Sequence, residues 1–117
     1  MPDSTTPLAT LKEAVRKFAA ERAWEPFHTP KNLVMGMAVE TAELMEHFLW
    51  VDGEQSRQLA NDPAKRQQIA DELADVACYV MNMANVLDID LSEAIAGKIA
   101  KNAEKYPAEQ YRGRWTR

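Results

Sequence analysis

A chain of 117 residues has room for one domain built around one hydrophobic core. Hydrophobic residues make up 46% of the chain, which is typical of a globular protein and excludes a disordered one. The formal net charge is −4 and the basic residues are scattered until the last few positions, which argues against a polynucleotide partner.

Three further features of the sequence bear on the cellular location of the protein. No apolar run approaches the ~20 residues that a membrane-spanning helix requires, so we expect no membrane partner. The first residues contain neither a basic cluster nor an apolar block, and no signal peptide is predicted. The single cysteine, Cys78, cannot form an internal disulfide, which fits a reducing, cytoplasmic location.

Helical periodicity and local start signals predict four helices, and no strand pattern is present. Thr6-Pro7, Thr29-Pro30 and Asp62-Pro63 each pair a capping side chain with a proline at the first helical position. Asp90 is expected to cap the last helix, which Pro107 ends. The predicted helices cover about residues 7–22, 30–50, 63–87 and 91–105. They predict one all-α domain over residues 1–117, a helical bundle with an ordered core over about 7–107, a polar connection at 52–61 and a basic tail at 108–117.

The second predicted helix carries three regularly spaced carboxylates. Glu40, Glu43 and Glu46 follow one side of the helix, together with Asn32, His47 and Trp50. A solvated helix face has the same pattern, so this helix alone does not decide between a site and a surface.

The third predicted helix favours a site. Residues 73–87 are apolar nearly all round, which predicts a helix packed on most sides. Asp75 is the only charge in that stretch, and Glu72 lies one turn before it on the same side. Because a carboxylate buried in a core costs several kcal/mol or becomes protonated, we expect Asp75 to need a cation.

Two kinds of cation are possible. A lysine is one, although Lys65 and Arg66 lie more than two turns from Asp75. The other is a divalent metal, held when the second and third helices bring their carboxylates together. Ligands that are all oxygen favour magnesium or manganese over zinc. A di-iron site is excluded because it needs two Glu-x-x-His pairs on helices, and the chain has that spacing once, at Glu25 and His28, before the second predicted helix.

A magnesium ion held by a few carboxylates keeps positions for water and for substrate phosphates, which points to a nucleotide. The chain has neither GxxxxGK[ST] nor GxGxxG, so no glycine-rich loop would hold the phosphates. The metal would have to do so, helped by side chains such as Lys98 and the arginines of the tail.

These motifs resemble a known family. Glu40-Thr-Ala-Glu43 followed one helix later by Glu72-Leu-Ala-Asp75 resembles the metal-binding motifs of the MazG-like, all-α nucleoside triphosphate pyrophosphohydrolases. The run ERAWEPFHTPKNL at 21–33 is similar to the dCTP pyrophosphatase branch of that family, as are Lys98, Asn102 and Tyr106-Pro107. The similarity extends over about residues 18–112.

The resemblance implies a role for each matching residue. Glu40, Glu43, Glu72 and Asp75 would bind Mg²⁺, with Mn²⁺ as a possible substitute, and either Glu43 or Glu46 would orient or deprotonate the attacking water. The expected substrate contacts, from base to phosphates, are Trp24, His28, Asn32, Trp50, Tyr79, Lys98, Asn102 and Tyr106. A departure from the family pattern is Val15, where some relatives place a histidine.

The resemblance further implies a four-helix bundle that forms homo-oligomers, commonly tetramers built as dimers of dimers, with sites near the subunit contacts. The expected reaction cuts dCTP, or 5-modified dCTP, to dCMP and pyrophosphate and so cleans the nucleotide pool. Other interpretations stay open: the same chemistry on other nucleotides or phosphoribosyl-ATP, or a non-catalytic adaptor whose acidic face binds a basic partner. Trp24 and Trp50 could be core residues, and His28 could simply hydrogen-bond a loop.

Overall fold

The computed structural model describes residues 1–114, in which six α-helices and no strand occur. The all-α prediction is confirmed. The helices are α1 Leu8–Glu21, α2 Pro30–Glu46, α3 Gly53–Gln58, α4 Pro63–Val86, α5 Leu91–Lys105 and α6 Ala108–Tyr111, with single 3₁₀ turns at Asp3–Thr5, Glu25–Phe27 and Leu59–Asn61. No helix in this described part is both long and apolar enough to cross a membrane.

Three of the four predicted start signals are confirmed. The side chains of Thr29, Asp62 and Asp90 each accept a hydrogen bond from a backbone N–H in the first turn of α2, α4 and α5. The prediction for Thr6 is wrong. Its hydroxyl donates backwards to the carbonyl of Pro2 at 2.6 Å, and α1 starts at Leu8 without a side-chain cap.

The second helix is shorter than predicted, and the polar connection contains a helix that was not predicted. α2 ends at Glu46 rather than near Trp50, since residues 47–50 form turns. α3 starts with a capping box, in which Asp52 accepts from the backbone of Gln55 at 2.8 Å and Gln55 accepts from the backbone of Asp52 at 3.0 Å. This Asp-x-x-Gln signal was readable in the sequence. The short helix α6 in the tail was also not predicted.

α4 is the central element, and it packs against α2 and α1. Leu33 of α2 is buried to 1% exposure, and Ala19 of α1 and Ala84 of α4 are also buried. The packing depends on a close approach at Gly36 of α2. A Cβ there would lie 2.9 Å from the hydroxyl oxygen of Tyr79 on α4, so a side chain has no room unless Tyr79 moves.

The last long helix, α5, has no extensive contact with any other element of the described chain. Ile95 and Ile99 on this helix are 47% and 64% exposed. The radius of gyration, 17.0 Å, exceeds the value of about 13 Å for a closed domain of this length. The solvent-exposed surface of 9258 Å² exceeds the value of about 6,400 Å² expected for a closed monomeric protein of this mass. A single chain therefore does not close into a four-helix bundle.

Candidate metal centre and adjoining pocket

The facing sides of α2 and α4 bring together three of the four predicted metal ligands. Glu40 and Glu43, one turn apart on α2, and Glu72 on α4 each offer an oxygen atom within 4.8 Å of the others. One oxygen of Glu40 and one of Glu72 are buried without a hydrogen-bond partner among the described residues. Buried polar atoms in folded proteins are normally paired, so these two oxygens are available to a ligand.

The electrostatics of this acidic cluster, defined as Glu40, Glu43 and Glu72, require a positive partner. Partial burial, followed by the neighbouring carboxylate of Glu43, raises the pKa of Glu40 to about 7. Burial and Glu43 also raise the pKa of Glu72, while His47 opposes this effect. No Lys or Arg of residues 1–114 forms an ion pair with the cluster. A divalent cation fits this set of oxygen donors, and without one the carboxylates hold protons instead.

Asp75 occupies a different position from the one we expected. Its side chain is exposed in the single chain, so the expectation that it is buried among apolar residues is wrong. The physical reason is that α1 and α2 cover only part of α4, and neighbours such as Leu73 remain 57% exposed. Asp75 still lies one turn after Glu72, close enough for its charge to raise the pKa of Glu40. It stays a candidate fourth ligand through this proximity rather than through burial.

Beside Asp75 lies a cavity of about 390 Å³ between α1, α4 and the turn that connects α1 to α2. Its walls are mostly apolar and aromatic. The lining residues are Ala14, Val15, Phe18, Ala19, Trp24, His28, Asp75, Cys78, Tyr79 and Asn82. An apolar cavity with a few polar groups is the usual form of a small-molecule site.

The aromatic wall of this pocket is positioned by the end of α1. Ala23 adopts a left-handed conformation with φ of 53°, which turns the chain so that the N–H of Trp24 reaches the carbonyl of Ala19 at 3.0 Å. The Trp24 ring then packs edge-on against Phe18, with centroids 5.7 Å apart, and against His28 at 6.2 Å. A flat heteroaromatic ring could stack in such a pocket.

The structure brings Trp24, His28 and Tyr79, three of the predicted substrate contacts, to this pocket next to Asp75. Asn32 lies elsewhere, and its side chain donates a hydrogen bond to the carbonyl of Phe27 at 2.9 Å. Glu46, at the end of α2, is exposed.

The other predicted contacts lie away from the pocket within one chain. Trp50 is 92% exposed and borders a shallow groove with Lys65. Lys98 and Asn102 are on α5, and Tyr106 follows that helix and packs edge-on against Tyr111 with ring centroids 5.2 Å apart. Of the tail arginines, Arg112 and Arg114 are exposed, and Arg117 lies outside the described residues.

Sequence reasoning missed Asn82 as a pocket residue. The signal was present: Glu72, Asp75, Tyr79 and Asn82 recur at spacings of three and four residues, which places them along one face of α4. Two amides, Asn82 and Asn85, follow Asp75 in this stretch, and apolar periodicity alone does not show which of them lines a pocket.

An all-helical fold, an acidic cluster suited to a divalent cation and an aromatic pocket beside it are the features expected of one class, the helical hydrolases of phosphate anhydrides. The comparisons agree with this class. The sequence matches the MazG-like family over residues 36–115. It is 36% identical over 115 residues to dCTP pyrophosphatase 1 of Rattus norvegicus, covering 96% of this chain and 68% of that protein.

Two further similarities cover most of the chain. The Homo sapiens dCTP pyrophosphatase 1 is 39% identical over 109 residues, which are 90% of this chain and 64% of that protein. The crystal structure of a pyrophosphatase from Archaeoglobus fulgidus superimposes with a TM-score of 0.79 at 33% identity, covering 86% of this chain and 92% of the other. The chain belongs to the MazG-like family, and it is an enzyme of the pyrophosphatase class.

Proposed function

We propose that this chain is a Mg²⁺-dependent nucleoside triphosphate pyrophosphohydrolase that converts dCTP, or dCTP modified at the 5 position, to dCMP and pyrophosphate. The observation that carries the proposal is the juxtaposition of the acidic cluster with the aromatic pocket. Asp75 borders the pocket and follows Glu72 of the cluster by one turn, so one nucleotide can reach both. The names of the dCTP pyrophosphatase relatives support cytosine as the base.

Different residues of the chain would bind the metal ion and the base. Glu40, Glu43, Glu72 and Asp75 would hold the ion, with Mn²⁺ as a substitute, and the two unpartnered oxygens of the cluster fit that role. When bound, Mg²⁺ supplies positive charge to the phosphate oxygens and lowers the pKa of water. Trp24 and Tyr79 hold the base at the other end of the site. This arrangement would place the α-phosphate next to the carboxylates.

The remaining step is the attack of water on the α-phosphorus, which needs a group to orient the water and accept its proton. Glu43 and Glu46 are the two candidates, one turn apart on α2. Glu46 is exposed and lies at the end of the helix, whereas Glu43 belongs to the cluster. A carboxylate within hydrogen-bonding distance of the water can contribute about 10²–10⁴-fold as a general base.

A turnover screen tests the reaction. The four common ribonucleoside triphosphates, the four deoxyribonucleoside triphosphates and 5-methyl-dCTP are each incubated with the protein, with Mg²⁺ or with a chelator. We expect pyrophosphate release from dCTP and its 5-methyl form only with Mg²⁺. Release of orthophosphate instead, or of pyrophosphate in the presence of the chelator, would contradict the proposal. Preference for another base would keep the chemistry and correct the substrate.

We also propose that the site is completed by a second copy of the chain, within a homotetramer arranged as a dimer of dimers that cleans the cytoplasmic nucleotide pool. The exposed faces of α4 and α5 support this, because Leu73, Ile95 and Ile99 are about half exposed or more in one chain. Lys98 and Asn102 on α5 would then reach the phosphates bound at the acidic cluster of the other copy.

Mixing two inactive variants tests this sharing. Glu43→Gln removes a cluster ligand and Lys98→Ala removes a phosphate contact on α5. If each site combines the cluster of one copy with α5 of the other, co-refolding the two variants restores about a quarter of the wild-type sites. If both groups act within one chain, the mixture stays inactive, which would overturn the sharing but leave the chemistry standing. Sedimentation of the wild type reports the number of subunits.

A further inference from the structure

Asn82 is the one pocket residue with a side-chain amide, and it lies two turns beyond Asp75 on α4. Seven residues return almost to the same helix face and advance by about 10 Å along the axis. That advance is comparable to the distance from the α-phosphate to the exocyclic group of a pyrimidine. A nucleotide with its phosphates at the acidic cluster would therefore bring the far edge of its base to Asn82.

The wall that carries Asn82 separates two cavities. Asn82, His28 and Ala19 line the aromatic pocket and also a second cavity of about 200 Å³, whose other lining residues include Arg16 and Glu25. Asn82 therefore lies at the boundary between the two cavities. In a site lined mainly by apolar side chains, a few such polar groups determine the orientation of the ligand.

The carboxamide of Asn82 differs from those of Asn85 and Asn32, which have backbone partners. Asn85, one turn further along α4, donates to the carbonyl of Lys12 at 2.9 Å, and Asn32 donates to the carbonyl of Phe27. Within residues 1–114, Asn82 forms no side-chain hydrogen bond although it is half-buried. Among the described residues, the buried side-chain atoms without a partner belong to Glu40 and Glu72, so the amide atoms of Asn82 are open to solvent and can exchange water for a ligand.

A carboxamide presents one donor and one acceptor side by side. The same pair forms two hydrogen bonds with a base edge that carries an amino group next to a ring nitrogen, as asparagine does with adenine in DNA recognition. Cytosine has that arrangement in its 4-amino group and N3. We propose that Asn82 is the base-recognition residue of this enzyme, its Oδ1 accepting from the amino group and its Nδ2 donating to N3.

This inference rests on the proposed function for the choice of substrate, but binding tests it without turnover. The affinities for dCMP and dTMP are measured by calorimetry for the wild type, Asn82→Leu and Asn82→Asp, beside the kcat/KM values for dCTP and dTTP. Leucine keeps the size of the side chain without polar atoms, and aspartate keeps the shape without the donor. Asn85→Leu is the matched control, since it removes an amide of the same helix that already has a structural partner.

We expect the wild type to prefer dCMP, and both Asn82 variants to lose about 10- to 100-fold of that preference. The loss should appear in KM rather than in kcat, and the Mg²⁺ dependence should stay unchanged. Asn85→Leu should lower Tm but keep the preference. An unchanged dCMP-to-dTMP ratio in both Asn82 variants, or a wild type without preference, would overturn the inference. If dCMP binding behaves as expected but no triphosphate is hydrolysed, the proposed reaction fails and the role of Asn82 stands.

Discussion

The chain has two regions that differ in how their helices are covered. The packed unit, α1, α2 and α4, buries Leu33 to 1% exposure and holds both the acidic cluster and the aromatic pocket. The C-terminal arm, residues 88–114, contains α5, whose Ile99 is 64% exposed. Both regions have apolar residues at helical spacing, so periodicity does not distinguish them. What differs is whether the chain supplies its own covering surface.

The two regions also differ in chemistry. The acidic cluster lies in the packed unit, whereas the arm carries Lys98, Lys101 and Lys105 beside acids of its own. A triphosphate bound through a divalent ion needs both kinds of group, since the ion binds the carboxylates and lysines can neutralise the remaining phosphate charge. The contrast agrees with the proposal that the arm of a second copy completes the site.

The largest expected effect is a loss of activity when an acid of the packed unit is replaced, compared with no loss when an acid of the arm is replaced. Glu72→Gln should lower kcat/KM by about 10³-fold, the scale for the loss of transition-state charge stabilisation. Its counterpart on the arm, Glu104→Gln, changes an exposed acid and should leave activity unchanged. Pyrophosphate release checks both. Circular dichroism should show that Glu72→Gln is helical, with a metal-free Tm at or above that of the wild type, because one repulsive charge is gone.

The same measurement of pyrophosphate release tests whether Asp75 is a metal ligand. Asp75→Asn should also abolish most turnover while the protein stays folded. Full activity of this variant with Mg²⁺ would remove Asp75 from the ligand set and leave the three glutamates of the cluster.

The next largest effect is on stability, and it compares a buried side chain of the packed unit with an exposed one of the arm. Leu33→Ala in the packed unit should reduce the free energy of unfolding by about 3 kcal/mol, because it leaves a cavity at a side chain that is buried to 1% exposure. Ile99→Ala on the arm should cost less than about 0.5 kcal/mol in a dilute, monomeric sample, where the side chain is already solvated. Urea unfolding at two protein concentrations measures both. If a second copy covers the arm, the cost of Ile99→Ala grows with concentration and that of Leu33→Ala does not.

A smaller effect compares two glycines. Gly36→Ala should push the Tyr79 ring into the aromatic pocket and raise KM by about tenfold, the scale of about 1.4 kcal/mol of lost binding. Gly97→Ala on α5 has open space around it and should instead stabilise the helix by about 0.5–1 kcal/mol. Substrate kinetics and thermal melts distinguish the two. A normal KM for Gly36→Ala would show that Tyr79 does not hold the base.

The smallest expected effect is the pH dependence of the metal-free protein. The pKa of Glu40 is raised to about 7 in the folded state, so the folded chain binds more protons than the unfolded chain between about pH 4.5 and 7. Stability should therefore fall as the pH rises through this window and level off above it. Thermal melts in chelator check the slope. Glu40→Gln should reduce the slope to the part that Glu72 contributes, and an unchanged slope in this variant would assign the titration elsewhere.

Local sequence determined much of the packed unit. The caps at Thr29, Asp62 and Asp90 were readable because each signal lies within the first turn of its helix. The meeting of Glu40, Glu43 and Glu72 also followed from spacing, since residues three apart share a helix face and antiparallel neighbours bring two faces together. The motifs around these acids were specific enough to indicate the MazG-like family.

The remaining features depended on distant contacts. The end of α2 and the exposure of Asp75 depend on which surfaces the other helices cover. Apolar spacing shows that a helix face is to be buried, but it does not show which element buries it. For the same reason, Asn82 is recognised as a pocket residue only in the tertiary structure, where the turn after α1 forms the opposite wall of the pocket. The sequence by itself determined the four long helices apart from the end of α2, the acids of the cluster and the family. Tertiary structure decided which face of each helix meets a neighbour within the chain, because that depends on residues far apart in sequence.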